Sequence, residues 1–175
     1  MGDVFVEHMV ARRQTPKILM QKCMLMAAAL FVMLLPVILD ILFAIPAGML
    51  LPFFVIGAGW GMVILFRRLN LEFEYIVTNG EMDVDKILGR RSRKRILSVD
   101  CRNFDILAPY KPDFRTEYES QSIVSRVDAS SHPEAPGRWF AVFHAKDGKR
   151  TLLIFEPNEK MMDAFRKYIR SKIKG

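Results

Sequence analysis

Forty-four consecutive residues, from Cys23 to Phe66, contain one charged side chain, Asp40. A membrane-spanning helix needs about 20 apolar residues, so this block is long enough for two helices and too long for one. Pro46, Gly48 and Pro52 follow Asp40 and give the chain a place to turn. The block reads as a two-helix transmembrane hairpin over residues 22–67. Residues 1–21 precede it, and residues 69–175 are enough for one independent core but not two. A secretion signal has an apolar stretch of only about 7–15 residues followed by a small-residue cleavage site, which does not describe this block.

The formal net charge is +7, and its placement says more than its total. Arg12, Arg13, Lys17 and Lys22 precede the block and Arg67 and Arg68 follow it, whereas residues 69–175 hold 20 Lys and Arg against 16 Asp and Glu. Cationic flanks outside both spans place both termini in the cytoplasm. Cys23 at the membrane boundary and Cys101 in the following domain have no reason to meet, so no disulfide is expected. His8, His132 and His144 lack ligand spacing, so neither a metal nor a cofactor is expected.

Asp40 falls at the depth of the far interface, where a solvated carboxylate is the simple reading. An intramembrane acid can also serve a partner or a proton. Gly57 and Gly61 have the GxxxG spacing that permits close helix approach. Packing between the two spans of one chain is the simple explanation, and self-association into a homo-oligomer through the hairpin is the alternative.

From Leu71 the period changes to two. Leu71, Phe73, Tyr75 and Val77 share one face and Glu72, Glu74 and Thr78 the other, which is a strand pattern. Asn79-Gly80 suits a tight turn whose central residues both need positive φ. Met82 and Val84 alternate with Asp83 and Asp85 in a returning strand. Further strands are predicted over 94–99, 103–108, 122–128, 138–145 and 150–156, with Asp147-Gly148 as the last turn. Residues 109–121 read as a polar connection and 128–137 as a mobile surface loop. Alternation at Val4, Val6 and His8 lets the amino-terminal segment add a strand to the downstream sheet.

After Pro157-Asn158, Met161, Met162, Phe165, Ile169 and Ile173 recur at helical spacing. Asn158 suits an N-cap, and acidic residues early with basic residues late complement the helix dipole. The expected fold is a membrane α-hairpin plus an α+β domain: a bent antiparallel sheet of about seven strands capped by a carboxy-terminal helix near 158–172. Phe165 and Ile169 should be buried against sheet residues such as Phe73 or Phe155.

That order is pleckstrin-homology-like. The chain resembles a family of small membrane proteins, mainly from Firmicutes, that join a two-span hairpin to a pleckstrin-homology-like cytoplasmic domain. The resemblance rests on the Gly2–Glu7 segment, the run from Leu71 to Ile87, Leu107-Ala108-Pro109 and Glu156-Pro157-Asn158-Glu159. It implies architecture and carries over no activity.

Arg90, Arg91, Arg93, Lys94 and Arg95 place five charges within six residues. A strand of about eight residues leaves the membrane for ~26 Å at 3.3 Å per residue and the next returns, so the turn at 89–95 is brought back towards the bilayer. With Arg67 and Arg68 it forms a candidate rim for anionic lipid headgroups, each charge there contributing ~1 kcal/mol; a solvated turn is the competing reading. Nucleic-acid binding is not expected of a domain this mildly basic.

No phosphate loop, nucleophile elbow or zinc-protease motif is present. Asp83 and Asp85 fit simple alternation better than acid chemistry, and Cys101 beside Arg102 has no histidine in sequence reach to activate it. The expectation is a non-catalytic, membrane-tethered module that docks a protein partner and anionic lipid. The alternative is small-molecule transport, or an enzymatic role, of an oligomer.

Overall fold

A computed structural model of the chain describes residues 4–43 and 46–175; Gly2 and Asp3 of the family-like segment lie outside them. The chain divides into two units, one of residues 14–71 with 88–90, the other of 4–13, 72–87 and 91–175.

The first unit is a helical hairpin. Helix α1 covers Pro16–Phe43 and begins seven residues before Cys23, the start of the apolar block. Pro16 takes the first helical position, where its missing N–H is not needed, and Thr15 Oγ1 accepts the Ile18 N–H at 3.4 Å. Helix α2 covers Leu51–Leu69 after a short 3₁₀ turn at Gly48–Leu50. Both helices are long and apolar enough to cross a membrane, and none of the most apolar window of the second is buried. Leu30, Phe31, Phe53, Ile56 and Trp60 are all exposed. Between the helices, Asp40 accepts the Ala47 N–H at 2.5 Å, so its carboxylate serves the backbone of the turn.

The second unit holds eight strands in two sheets of four, not one sheet of seven. Strands β1 (Phe5–Ala11), β2 (Leu71–Thr78), β3 (Glu81–Leu88) and β4 (Ser92–Asp100) form the first sheet in chain order. Strands β5 (Phe104–Pro109), β6 (Ser125–Asp128), β7 (Trp139–His144) and β8 (Arg150–Phe155) form the second, ordered β5-β7-β8-β6. The break has a local cause. At Asp100 the chain enters a 3₁₀ turn whose Arg102 N–H is accepted by the Asp100 carboxylate at 2.9 Å, and β5 starts a new ladder. Strand β6 then runs parallel to β8, which a simple antiparallel meander does not allow.

Upstream of the hairpin, β1 pairs antiparallel with β2 from Phe5↔Thr78 to Ala11↔Glu72. Asn79 (φ 51°) and Gly80 (φ 94°) both take positive φ in the β2–β3 turn, and Asn79 Oδ1 accepts the Val4 N–H at 3.0 Å.

The second sheet is apolar on both faces. One face presents Ile106, Ala108, Phe140, Val142, Leu152 and Ile154, and it is covered by the connection read as polar. Within that connection Pro112–Phe114 forms a 3₁₀ turn and helix α3 spans Arg115–Tyr118. Tyr118 is buried with its ring 5.4 Å from Phe140. The opposite face meets helix α4, Glu159–Ile169, whose Asn158 cap accepts the Met161 N–H at 2.9 Å. Phe165, 1% exposed, stands edge-on to Phe155 at 6.0 Å, and Phe155 stands edge-on to Tyr75 of the first sheet at 5.7 Å.

The segment from 128 to 137 is a tied loop and not a mobile one. Tyr75 donates its hydroxyl to the Ala129 carbonyl at 2.6 Å, Glu156 accepts the Ser131 N–H at 2.5 Å, and the buried Arg138 bonds the Pro133 carbonyl. Its Ser, Pro and Ala composition conceals partners that come from distant strands.

Candidate functional site

Charge in the hairpin unit is segregated by end. Residues 14–71 and 88–90 contain Lys17, Lys22, Arg67, Arg68 and Arg90, with Asp40 as the single acid. Lys17 and Lys22 lie in the first two turns of α1, and Arg67 and Arg68 close α2, where cations suit the helix dipole. Lys22 joins the two ends: its Nζ donates to Asn70 Oδ1 at 3.1 Å and stands 6.0 Å over the Phe66 ring.

The β3–β4 turn completes this collar. Gly89 donates its N–H to the Asn70 carbonyl at 2.9 Å, and Gly89 (φ 57°) and Arg90 (φ 59°) are both left-handed. Arginine in that conformation costs about 1 kcal/mol, and such strain is characteristic of functional positions. A Cβ at Gly89 would lie 2.7 Å from Arg67 Cβ and 2.9 Å from the Arg67 carbonyl oxygen. Gly89→Ala is therefore expected to cost about 1–3 kcal/mol. Alanine at Gly137, whose Cβ position faces open space, should cost less than about 0.5 kcal/mol. Thermal unfolding in detergent micelles checks both.

The rest of the basic run is not one turn. The turn ends at Arg91, and Arg93, Lys94 and Arg95 lie on β4. Arg93 Nη2 reaches Glu74 Oε1 at 2.8 Å and Oε2 at 2.6 Å. Arg95 bonds Asp85 at 3.1 Å and Asp83 at 2.9 Å. The Glu74 side chain is 0% exposed and that of Asp85 3%, so these two arginines serve buried carboxylates of β2 and β3. Arg91 and Lys94 are exposed. Alternation marked Glu74, Asp83 and Asp85 as outward, and the arginines of β4 that cover them left no local signal. Burial, and then a hydrogen bond from Glu7, raise the Glu74 pKa, with Arg93 opposing.

Other groups singled out from the sequence have structural roles. Cys101 is fully buried, which pushes its thiol up to about 12 and leaves it inert. Cβ positions at Gly57 and Gly61 meet nothing within 4 Å, and Gly59 faces Met33 at 3.7 Å. The GxxxG pair therefore does not pack the two helices of one chain together. Among the described residues no cluster of three His, Cys, Asp or Glu is placed to hold a metal.

Two four-stranded sheets closed by a carboxy-terminal helix make up the domain. The chain belongs to the family described as Bacterial PH-like domain (DUF6106), whose model matches residues 2–175. No curated protein and no solved structure matches it.

Proposed function

We propose that this protein is a membrane-tethered, non-catalytic binding module. Helices α1 and α2 cross the bacterial cell membrane with both termini in the cytoplasm. The PH-like domain docks a protein partner, and the basic collar holds anionic lipid headgroups. The observation that carries this reading is the segregation of Lys17, Lys22, Arg67, Arg68 and Arg90 to one end of an otherwise apolar hairpin with exposed helix surfaces. Cations at that end satisfy the positive-inside rule, and each near an anionic leaflet contributes ~1 kcal/mol. Arg91 and Lys94 are exposed, whereas Arg93 and Arg95 are engaged within the sheet.

A solute path through oligomerised hairpins has the open Gly57–Gly61 face in its favour. Against it, Asp40, the one charged side chain of the apolar block 23–66, is bonded to Ala47.

The test is reconstitution of the full chain in nanodiscs of mixed phosphatidylglycerol and phosphatidylcholine, with retained lipids counted by native mass spectrometry. Wild type should retain phosphatidylglycerol preferentially, and rising salt should weaken the preference because exposed charges are screened over ~8–10 Å. Replacing Arg67, Arg68 and Arg90 together by glutamine should bring retention to the bulk ratio. An unchanged preference in that variant, or none in wild type, defeats the lipid reading.

A further inference from the structure

Strand β1 is the edge of the first sheet, and its one strand neighbour is β2. Met9 stands directly opposite Glu74 and Glu7 opposite Ile76, so Glu7 lies one diagonal step from Glu74 on the same face, within reach of long side chains. Glu74 is completely buried and Glu7 is exposed. That register brings the two carboxyl groups within reach of each other, and a hydrogen bond between them needs a proton on one, because an ionised carboxylate only accepts; burial and the neighbouring Glu7 both raise the Glu74 pKa.

We propose that Glu7 and Glu74 form a proton-sharing clasp that fastens β1 into the first sheet, so that β1 opens ahead of the rest of the domain when the clasp loses its proton. The surroundings are charged on every side. Glu72 lies on the same strand, Asp83 and Asp85 come from β3, and Arg93 and Arg95 from β4. Arg93 offsets part of the repulsion, yet its guanidinium is shared between Glu74 and, at 4.0 Å, Asp85. With both members ionised, Glu7 gains more by swinging into solvent than by facing a buried carboxylate.

The sign follows from the direction of the shift. Glu74 has a pKa raised above 4.5, so the contribution of the clasp is complete below that value and is lost as the pH rises through the folded-state pKa. The other face of β1 acts oppositely. His8 packs on Tyr75 with ring centroids 6.0 Å apart, and its pKa is lowered by burial, with Glu156 opposing. Its contribution is present above 6.5 and lost as the pH falls. Loosening of β1 with rising pH therefore cannot come from His8.

The experiment is amide hydrogen exchange on the full chain in nanodiscs from about pH 5 to about pH 8, with β1 protection expressed relative to β7. Relative protection of Val6–Val10 should fall with rising pH by up to about tenfold per pH unit, the slope of one linked proton. Glu7→Gln, at an exposed position, keeps a donor to Glu74 at every pH and should flatten the profile. Glu74→Gln should do the same from the buried side. A flat wild-type profile, or an unchanged slope in Glu7→Gln, overturns the clasp.

Discussion

Phe165→Ala should destabilise the PH-like domain by about 3–5 kcal/mol, the range for deleting a buried phenylalanine without collapse of the cavity. Collapse is opposed from several sides. The ring stands edge-on to Phe155 at 6.0 Å and tilted to Phe104 at 6.4 Å, and Phe104 is in turn 5.5 Å from Phe143. Met161 and Ile169 fill the same face of α4 and are themselves buried, so no flexible neighbour is free to move in. The loss should appear as a fall of about 10–20 °C in the unfolding of the domain, followed by near-ultraviolet circular dichroism of the protein in micelles. Arg166→Ala, one residue on, removes an exposed pair with Asp163 at 2.8 Å and should change stability by less than about 0.5 kcal/mol. A Phe165→Ala loss below about 1 kcal/mol would mean that α4 does not close the core.

Phe165 also shows what is legible in a sequence. Its helix has helical spacing, a capping asparagine and a charge gradient, and Asn79-Gly80 has the turn chemistry that positive φ requires; both signals are local. The hairpin is more legible still, because two runs of apolar residues satisfy a length condition without reference to partners. Pairing is different. Nothing within 125–128 says that the strand joins β8 in parallel, and nothing within 128–137 shows that Tyr75, Glu156 and Arg138 hold the loop. Tyr118 was hidden in a stretch whose prolines and charges spoke for solvent, although its aromatic residues are the cover for a sheet apolar on both faces. The candidate site divides along the same line. Arg67, Arg68 and Arg90 are brought together by the return of β3, which strand length alone anticipates. Arg93 and Arg95 stand in the same run of residues, but their roles depend on carboxylates of β2 and β3, and no composition argument separates them from their neighbours.

That separation gives the second large effect. Arg93→Gln removes the guanidinium that contacts both oxygens of Glu74, a side chain with 0% exposure. Breaking a fully buried pair costs 3–5 kcal/mol, and because half of Arg93 is solvent-exposed the expected loss is roughly 2–3 kcal/mol near neutral pH. The loss should depend on pH in a defined direction. Burial and the Glu7 hydrogen bond already raise the Glu74 pKa, and without Arg93 it should rise further, so that stability falls more steeply as the pH climbs through it. Below about 4.5, where Glu74 is protonated folded or unfolded, wild type and variant should converge. Chemical denaturation of the protein in micelles at several pH values measures both. The same variant, carried through the nanodisc experiment, should keep the preference for anionic lipid, because a guanidinium that leaves Glu74 for a headgroup strands a buried carboxylate. The triple glutamine variant at Arg67, Arg68 and Arg90 should behave in the opposite way, losing the preference while the sheet keeps its stability. Arg93→Gln with unaltered stability and a lost lipid preference would place Arg93 in the collar and remove the ion pair as the reason for its position.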